Sequence, residues 1–160
     1  GSGILAVTLL AERKRASGQA VDVSPAALAV ARENAETLGV DDRLTFIESH
    51  WFFNVEGMFD LIVSNPPYIP AVEISELDVE VKDHDPHLAL VGGEDGMLCY
   101  REIAQSAGAF LNIACSIAVE VGAGQAADVG QIFAAQGFEL IAQAKDLGGH
   151  IRCLAFQLSA

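Results

Sequence analysis

Residues 59–64 read FDLIVS and run straight into Asn65-Pro66-Pro67-Tyr68, and this junction restricts the fold more than any other stretch of the chain. A short, continuously apolar run without helical spacing predicts a strand buried on both faces. Strands of that kind belong to parallel sheets covered by helices on either side. The two prolines then end the strand, because each holds φ at about −65° and neither has an N–H to extend a ladder.

The rest of the chain repeats this alternation. Ile4 to roughly Arg15 predicts a helix with Leu5, Leu9 and Leu10 on its apolar face, entered from Gly1-Ser2-Gly3. Arg13, Lys14 and Arg15 close it and complement its negative pole. Gln19 to Asp22 predicts a short buried strand. Ser24-Pro25 supplies an N-cap and a first-turn proline for a second helix, whose stripe of Ala27, Leu28, Val30, Ala31, Ala35 and Leu38 stops at Gly39. Leu44 to Ile47 predicts a strand, and Ile69 to Leu90 an acidic loop placed to act as a lid. Asp95 to about Asn112 and Gln125 to Gln136 predict helices, Ser116 to Val121 a strand, and Phe138 to Ala144 with Ile151 to Leu158 a closing β-meander. The expected fold is one α/β domain over residues 1–160: a doubly wound, mostly parallel sheet with an antiparallel C-terminal edge.

Composition excludes several classes. A hydrophobic share of 51% in 160 residues is too high for a disordered chain, and no apolar run approaches the roughly 18 residues of a membrane span. Nine Lys+Arg against 22 Asp+Glu give a net charge of −13, whose field repels phosphate backbones, so nucleic acid is disfavoured as a substrate. Cys99, Cys115 and Cys153 are odd in number and widely spaced, which fits a reducing cytoplasm and no disulfide framework.

In such sheets ligands bind at the carboxyl ends of the strands. Chemistry is therefore expected at Gly1 to Gly3, Asp22, Ser49 to Trp51, Asn65 to Tyr68 and Glu120 to Gly122. At the proline corner, donors are removed and carbonyls are expected to point outward. The Asn65 side-chain oxygen and the Pro66 carbonyl would each accept one proton of a planar NH2 group, and Tyr68 would offer a flat surface for it. Asp22 ends a strand about twenty residues after Gly1-Ser2-Gly3, the spacing at which α/β nucleotide sites place a carboxylate for ribose hydroxyls. Trp51 stands where an aromatic ring can cover an adenine. Asp83, His84, Asp85 and His87 lack fixed ligand geometry and read as a solvated acidic loop, so no metal is expected. No serine or cysteine nucleophile sits at a known spacing from a base.

With these residues in place, nearly the whole chain resembles the catalytic domain of the release-factor glutamine methyltransferases, the HemK/PrmC family. The resemblance runs through Gly1-Ser2-Gly3-Ile4, VDVSP at 21–25, FDLIVSNPPYIP at 59–70, HDPHLALVGGEDGMLCYREI at 84–103, VEVGAGQ at 119–125 and KDLGGHIR at 145–152. It implies a class I S-adenosylmethionine-dependent, Rossmann-like fold. It also implies methyl transfer to the side-chain amide nitrogen of the glutamine in the GGQ loop of peptide chain release factors, in the cytoplasm, with S-adenosylhomocysteine as product. By that resemblance Gly1, Ser2, Gly3, Asp22, Trp51 and Asn65 contact the cofactor, and Asn65, Pro66, Pro67 and Tyr68 bind the amide.

The family's glycine motif opens with a central strand, and a helical domain precedes it. This chain reads as lacking both, a catalytic domain truncated at its N-terminus. Unpaired backbone rows are then expected beside the strands ending at Asp22 and Ser64. His50 stands where the family carries an acidic residue, and Asn112-Ile113-Ala114-Cys115 replaces a Pro-Gly-Gly type turn, predicting a looser helix-to-strand connection. Two other readings stay open at this point: an amino-methyltransferase acting on adenine N6 in nucleic acid, and an inactive fragment that only binds a partner.

Overall fold

Helix and strand alternate through residues 1–76 and 89–159, the part of the chain that this computed structural model describes. The chain forms two units, Gly1–Gly57 and Met58–Ala160. The expected lid is described only at its ends, and Asp83, His84, Asp85 and His87 lie outside the described residues.

In the first unit, α1 (Ile4–Glu12), β1 (Gly18–Asp22), α2 (Pro25–Thr37) and β2 (Leu44–Glu48) follow the expected order. β1 and β2 are parallel, with Gly18 opposite Leu44 and Asp22 opposite Glu48. Val7 and Leu10 of α1, Ala35 of α2 and Ala20 and Leu44 of the strands share one buried cluster. Leu5 and Leu9, expected on the apolar face of α1, are exposed instead. The Ser24 hydroxyl accepts the Ala27 N–H at 3.2 Å and Pro25 opens α2, as the sequence predicts. Replacing Ser24 by alanine strands that donor and is expected to cost about 1 kcal/mol in a denaturant titration.

The negative pole of α1 is met differently from the sequence expectation. Arg43 reaches back and donates to the carbonyls of Leu10, Arg13 and Ala16 at 3.0, 3.1 and 2.8 Å. The helix ends at Glu12, before the Arg13-Lys14-Arg15 run, so that run does not supply its last turn. One planar guanidinium has enough donors to serve three carbonyls at once.

In the second unit, β3 (Phe59–Ser64), α3 (Leu98–Ala107), β4 (Leu111–Glu120), α4 (Ala126–Ala134), β5 (Phe138–Lys145) and β6 (Ile151–Leu158) build a four-stranded sheet in the order β3-β4-β6-β5. β3 and β4 are parallel, while β6 runs antiparallel to both β4 and β5. The antiparallel edge is therefore present, but the tail is not a meander. β5 lies outermost and β6 fits between it and β4, because α4 carries the chain past one strand position before it returns. Phe133 of α4 stacks on Phe156 of β6 at 4.3 Å and meets Phe138 of β5 edge-on at 5.5 Å. All three rings are buried.

β1 and β3 were expected to be buried, and neither is fully so. Only Ala20 is buried in β1, and Leu61 in β3 is 48% exposed. Among the described residues β1 pairs with β2 alone and β3 with β4 alone, so each sits at the edge of its sheet. A strand with one neighbour is covered on one side only. Residues 112–115 form an irregular excursion inside β4, between the pairs Phe59–Leu111 and Leu61–Ser116. Ala114 takes a left-handed φ of 61° there, and Asn112 pins the excursion to the Asp60 carboxylate at 2.8 Å. No helix among the described residues is long and apolar enough to cross a membrane.

Candidate active site

At the carboxyl end of β1, the Asp22 carboxylate faces the turn that opens α1. One carboxylate oxygen accepts the Ser24 N–H at 2.8 Å and the other meets the Gly1 nitrogen. Asn34 of α2 holds the same turn by donating to the Ser2 carbonyl at 3.0 Å. Gly3 caps α1 with φ 72°, and a Cβ at Gly3 would approach the Ala31 Cβ to 2.7 Å. Only glycine allows both the left-handed turn and the close approach of α1 to α2. Gly1, Ser2, Gly3 and Asp22 are thus brought together as the spacing predicts.

Trp51 lies at the same end of this small sheet. The Ser49 N–H donates to the Asp22 carbonyl at 3.0 Å, which ties the exit of β2 to the exit of β1. Ser49 is buried and its hydroxyl accepts the Asn54 N–H at 2.9 Å, closing the 49–54 turn. Within that turn Trp51 is half-buried at φ 47°, a left-handed conformation that costs a bulky residue about 1–2 kcal/mol. His50 packs edge-on against it at 5.9 Å. Trp51 is thus no member of the core, and the turn holds it in a strained position.

The proline corner follows β3 in the second unit. Asn65 is exposed and Pro66 is fully buried. Neither the Asn65 side chain nor the Pro66 carbonyl hydrogen-bonds to another described residue. Contrary to the expectation from the prolines, the motif's carbonyls do not all point outward. The Tyr68 carbonyl turns inward and accepts the Gln125 side-chain amide at 2.8 Å, and the Pro67 carbonyl lies against Gly92.

The segment after the undescribed span clamps this corner. Ile69 and Val91 form a parallel bridge, Ile69 N–H donates to Leu90, Gly92 N–H to Ile69 and Ala71 N–H to Gly93, all at 2.9–3.0 Å. Gly96 has φ +76° and lies so close to the Tyr68 carbonyl that a Cβ would overlap it. From the other side, Arg152 of β6 donates to the Tyr68 hydroxyl at 3.0 Å and pairs with Glu120 at 3.3 Å. The buried Tyr100 phenol donates to the Glu120 carbonyl at 2.9 Å.

Residues 1–80 match the family model described as Methyltransferase small domain. The chain belongs to that family. A release factor glutamine methyltransferase of Agrobacterium fabrum is 46% identical over 98% of this chain and 54% of its own length. Another of that name from Cereibacter sphaeroides is 48% identical over all of this chain and 58% of its own length. The methyltransferase domain thus spans about half the length of these relatives. A ribosomal protein L11 methylase from Lactobacillus delbrueckii subsp. bulgaricus superposes with a TM-score of 0.72 at 21% identity, over 100% of this chain and 66% of that one. The fold is the Rossmann-like one of class I S-adenosylmethionine-dependent methyltransferases.

Within the methyltransferase domain, surroundings shift the titration of Tyr100, Cys99, Cys153 and Asp95. Burial pushes the Tyr100 phenol above the ordinary tyrosine range, so it remains a donor. Burial lifts the Cys99 thiol to about 11, and burial followed by the Glu120 charge lifts that of Cys153, which leaves both as thiols rather than nucleophilic thiolates. At the head of α3, Arg101 and then the Met97 N–H hold the Asp95 carboxyl at about 2, down from 3.8. Arg101 grips both carboxylate oxygens, at 2.5 and 3.2 Å. A depressed carboxyl stabilises the fold above 3.8, and that contribution is lost as pH falls through about 2. An NMR titration is expected to place the Asp95 midpoint near 2, and Arg101→Ala to return it toward 3.8.

Sequence reasoning pointed to Glu120 but missed Asn34, Arg43, Gly92, Gly96, Gln125 and Arg152 as shapers of these sites. Gly92 and Gly96 carried a signal, since closely spaced glycines after a long loop mark close backbone approach. Gln125 and Arg152 end two motifs of the resemblance, but nothing local ties either to Tyr68, 57 and 84 residues earlier.

Proposed function

We propose that this chain is a catalytic domain that transfers a methyl group from S-adenosylmethionine to the side-chain amide nitrogen of the glutamine in the GGQ loop of peptide chain release factors, a cytoplasmic reaction. The names of the relatives support the substrate class. The observation that carries the reading is the succession of an exposed Asn65 and the Pro66 carbonyl, neither of them bonded to another described residue, on a corner otherwise locked.

The residues of the first unit fit the cofactor. Asp22 spends one lone pair on Ser24 and one toward the Gly1 nitrogen, and its two remaining acceptor sites suffice for two ribose hydroxyls. The Gly1–Gly3 turn presents backbone without side chains at its two glycines, and Trp51 offers a ring at the same strand ends. When bound, the cofactor supplies an electrophilic methyl group on a sulfonium. In the second unit, the Asn65 oxygen and the Pro66 carbonyl accept one amide proton each. This fixes the rotation of the amide and keeps electron density on nitrogen, while the Tyr68 ring limits its tilt. No side chain of the corner is assigned as a base; the proton displaced from nitrogen passes to water. Pro67 holds the backbone between the two polar residues.

The test is methylation with methyl-labelled S-adenosylmethionine, offering a bacterial release factor, the same factor with its GGQ glutamine replaced by alanine, and DNA and RNA. Label is expected in the intact release factor alone. Label in nucleic acid, or in none of the four, overturns the reading.

A further inference from the structure

The proposed reaction uses the ring of Tyr68 and gives its hydroxyl no task. That hydroxyl is nevertheless held. An arginine has only donors, so at 3.0 Å the Tyr68 oxygen accepts from Arg152. The same guanidinium nitrogen reaches Glu120 at 3.3 Å, and its carbon lies 5.5 Å from the Tyr68 ring centroid. Arg152 is itself fixed by the sheet, because its carbonyl accepts the Val121 N–H at 3.0 Å next to the Glu120–Cys153 pair of β4 and β6.

The other end of Tyr68 is held as firmly. The Gln125 side chain accepts the Gly122 N–H at 3.0 Å and donates to the Tyr68 carbonyl at 2.8 Å. Gly122 lets the ring pack close, since a Cβ there would come within 3.1 Å of its Cδ2. A tyrosine ring is free to turn about two side-chain torsions. Here the charge-assisted bond at the hydroxyl fixes where the ring axis points, and the Gly122 backbone, held by Gln125 and packed against Cδ2, limits rotation about that axis.

We propose that Arg152, braced by Glu120, and Gln125 are positioning residues that set the plane of the Tyr68 ring, and that the Tyr68 hydroxyl serves this lock rather than the substrate. The inference rests on the reading that the ring borders the amide. A flat group resting on a ring reacts well only if that plane is held within about 10–20°. The lock then acts on the geometry of the amide without touching it.

Two measurements test this. The chain has only two tyrosines, Tyr68 and Tyr100, so ring-labelled tyrosine gives two NMR signals and Tyr68→Phe labelled at Tyr100 assigns them. Arg152→Ala is expected to shift the Tyr68 signal well beyond any change at Tyr100, with Arg152→Lys restoring part of it. A Tyr68 signal that ignores Arg152→Ala overturns the lock, whatever the substrate proves to be. The second arm is a double-mutant cycle in release-factor methylation. Tyr68→Phe and Arg152→Ala are each expected to lower kcat/KM about tenfold, and the double variant no further, since both remove one bond. Multiplying effects mean that the hydroxyl works on its own, and overturn the proposal. If the unaltered protein methylates no release factor while the NMR shift is seen, the substrate reading fails and the lock stands.

Discussion

Asn65→Ala is expected to lower release-factor methylation by about 10²–10³-fold, the loss found when one positioned polar partner is removed from a reacting group. The reason is geometric. Pro66 is buried and the following Pro67 restricts the ψ that aims its carbonyl, so that carbonyl still accepts one amide proton. Without the Asn65 oxygen the second proton has no acceptor, and the amide swings about the remaining bond. Asn65 is also among the residues expected to contact S-adenosylmethionine, where it is worth one hydrogen bond. Cofactor affinity by calorimetry is expected to fall by no more than about tenfold. Turnover close to that of the unaltered protein removes the proposed role of the corner.

Gly96→Ala is expected to produce the largest loss of stability. The backbone there has φ +76°, which costs a residue with a Cβ about 1–2 kcal/mol. The new methyl would also overlap the Tyr68 carbonyl oxygen, lie 3.0 Å from the Gln125 amide nitrogen and 3.3 Å from the Pro70 ring. None of these can yield cheaply, because the carbonyl and the amide are bonded to each other and the ring is rigid. Overpacking of this kind costs about 1–3 kcal/mol more. A denaturant midpoint corresponding to a loss of about 2–5 kcal/mol is expected, together with weaker methylation, as Tyr68 is displaced. A loss below about 0.5 kcal/mol, the range of an ordinary surface change, would show that the clamp does not depend on this glycine.

The proline corner and the second helix were legible because their signals are local. Two adjacent prolines after an apolar run leave the backbone little choice, and Ser24-Pro25 names its own cap partner three residues on. The bounds of β6 and β3 were legible for the same reason. Burial of β1 and β3 was not, since a strand's cover depends on what flanks it. The order of the last strands was also hidden, because apolar spacing announces a strand without naming its neighbour. The inward turn of the Tyr68 carbonyl depends on Gln125 and Gly96, which the chain brings in from far along its length. The expected solvent-facing carbonyls followed from the prolines alone and overlooked that distant acceptance.

The bridges between residues 69–71 and 90–93 make the proline corner part of a braced framework rather than a free loop. The shape of these described residues is settled when the chain folds, so a glutamine side chain bound there as proposed would meet a corner already in place. At these residues the entropic burden of encounter would fall on the peptide.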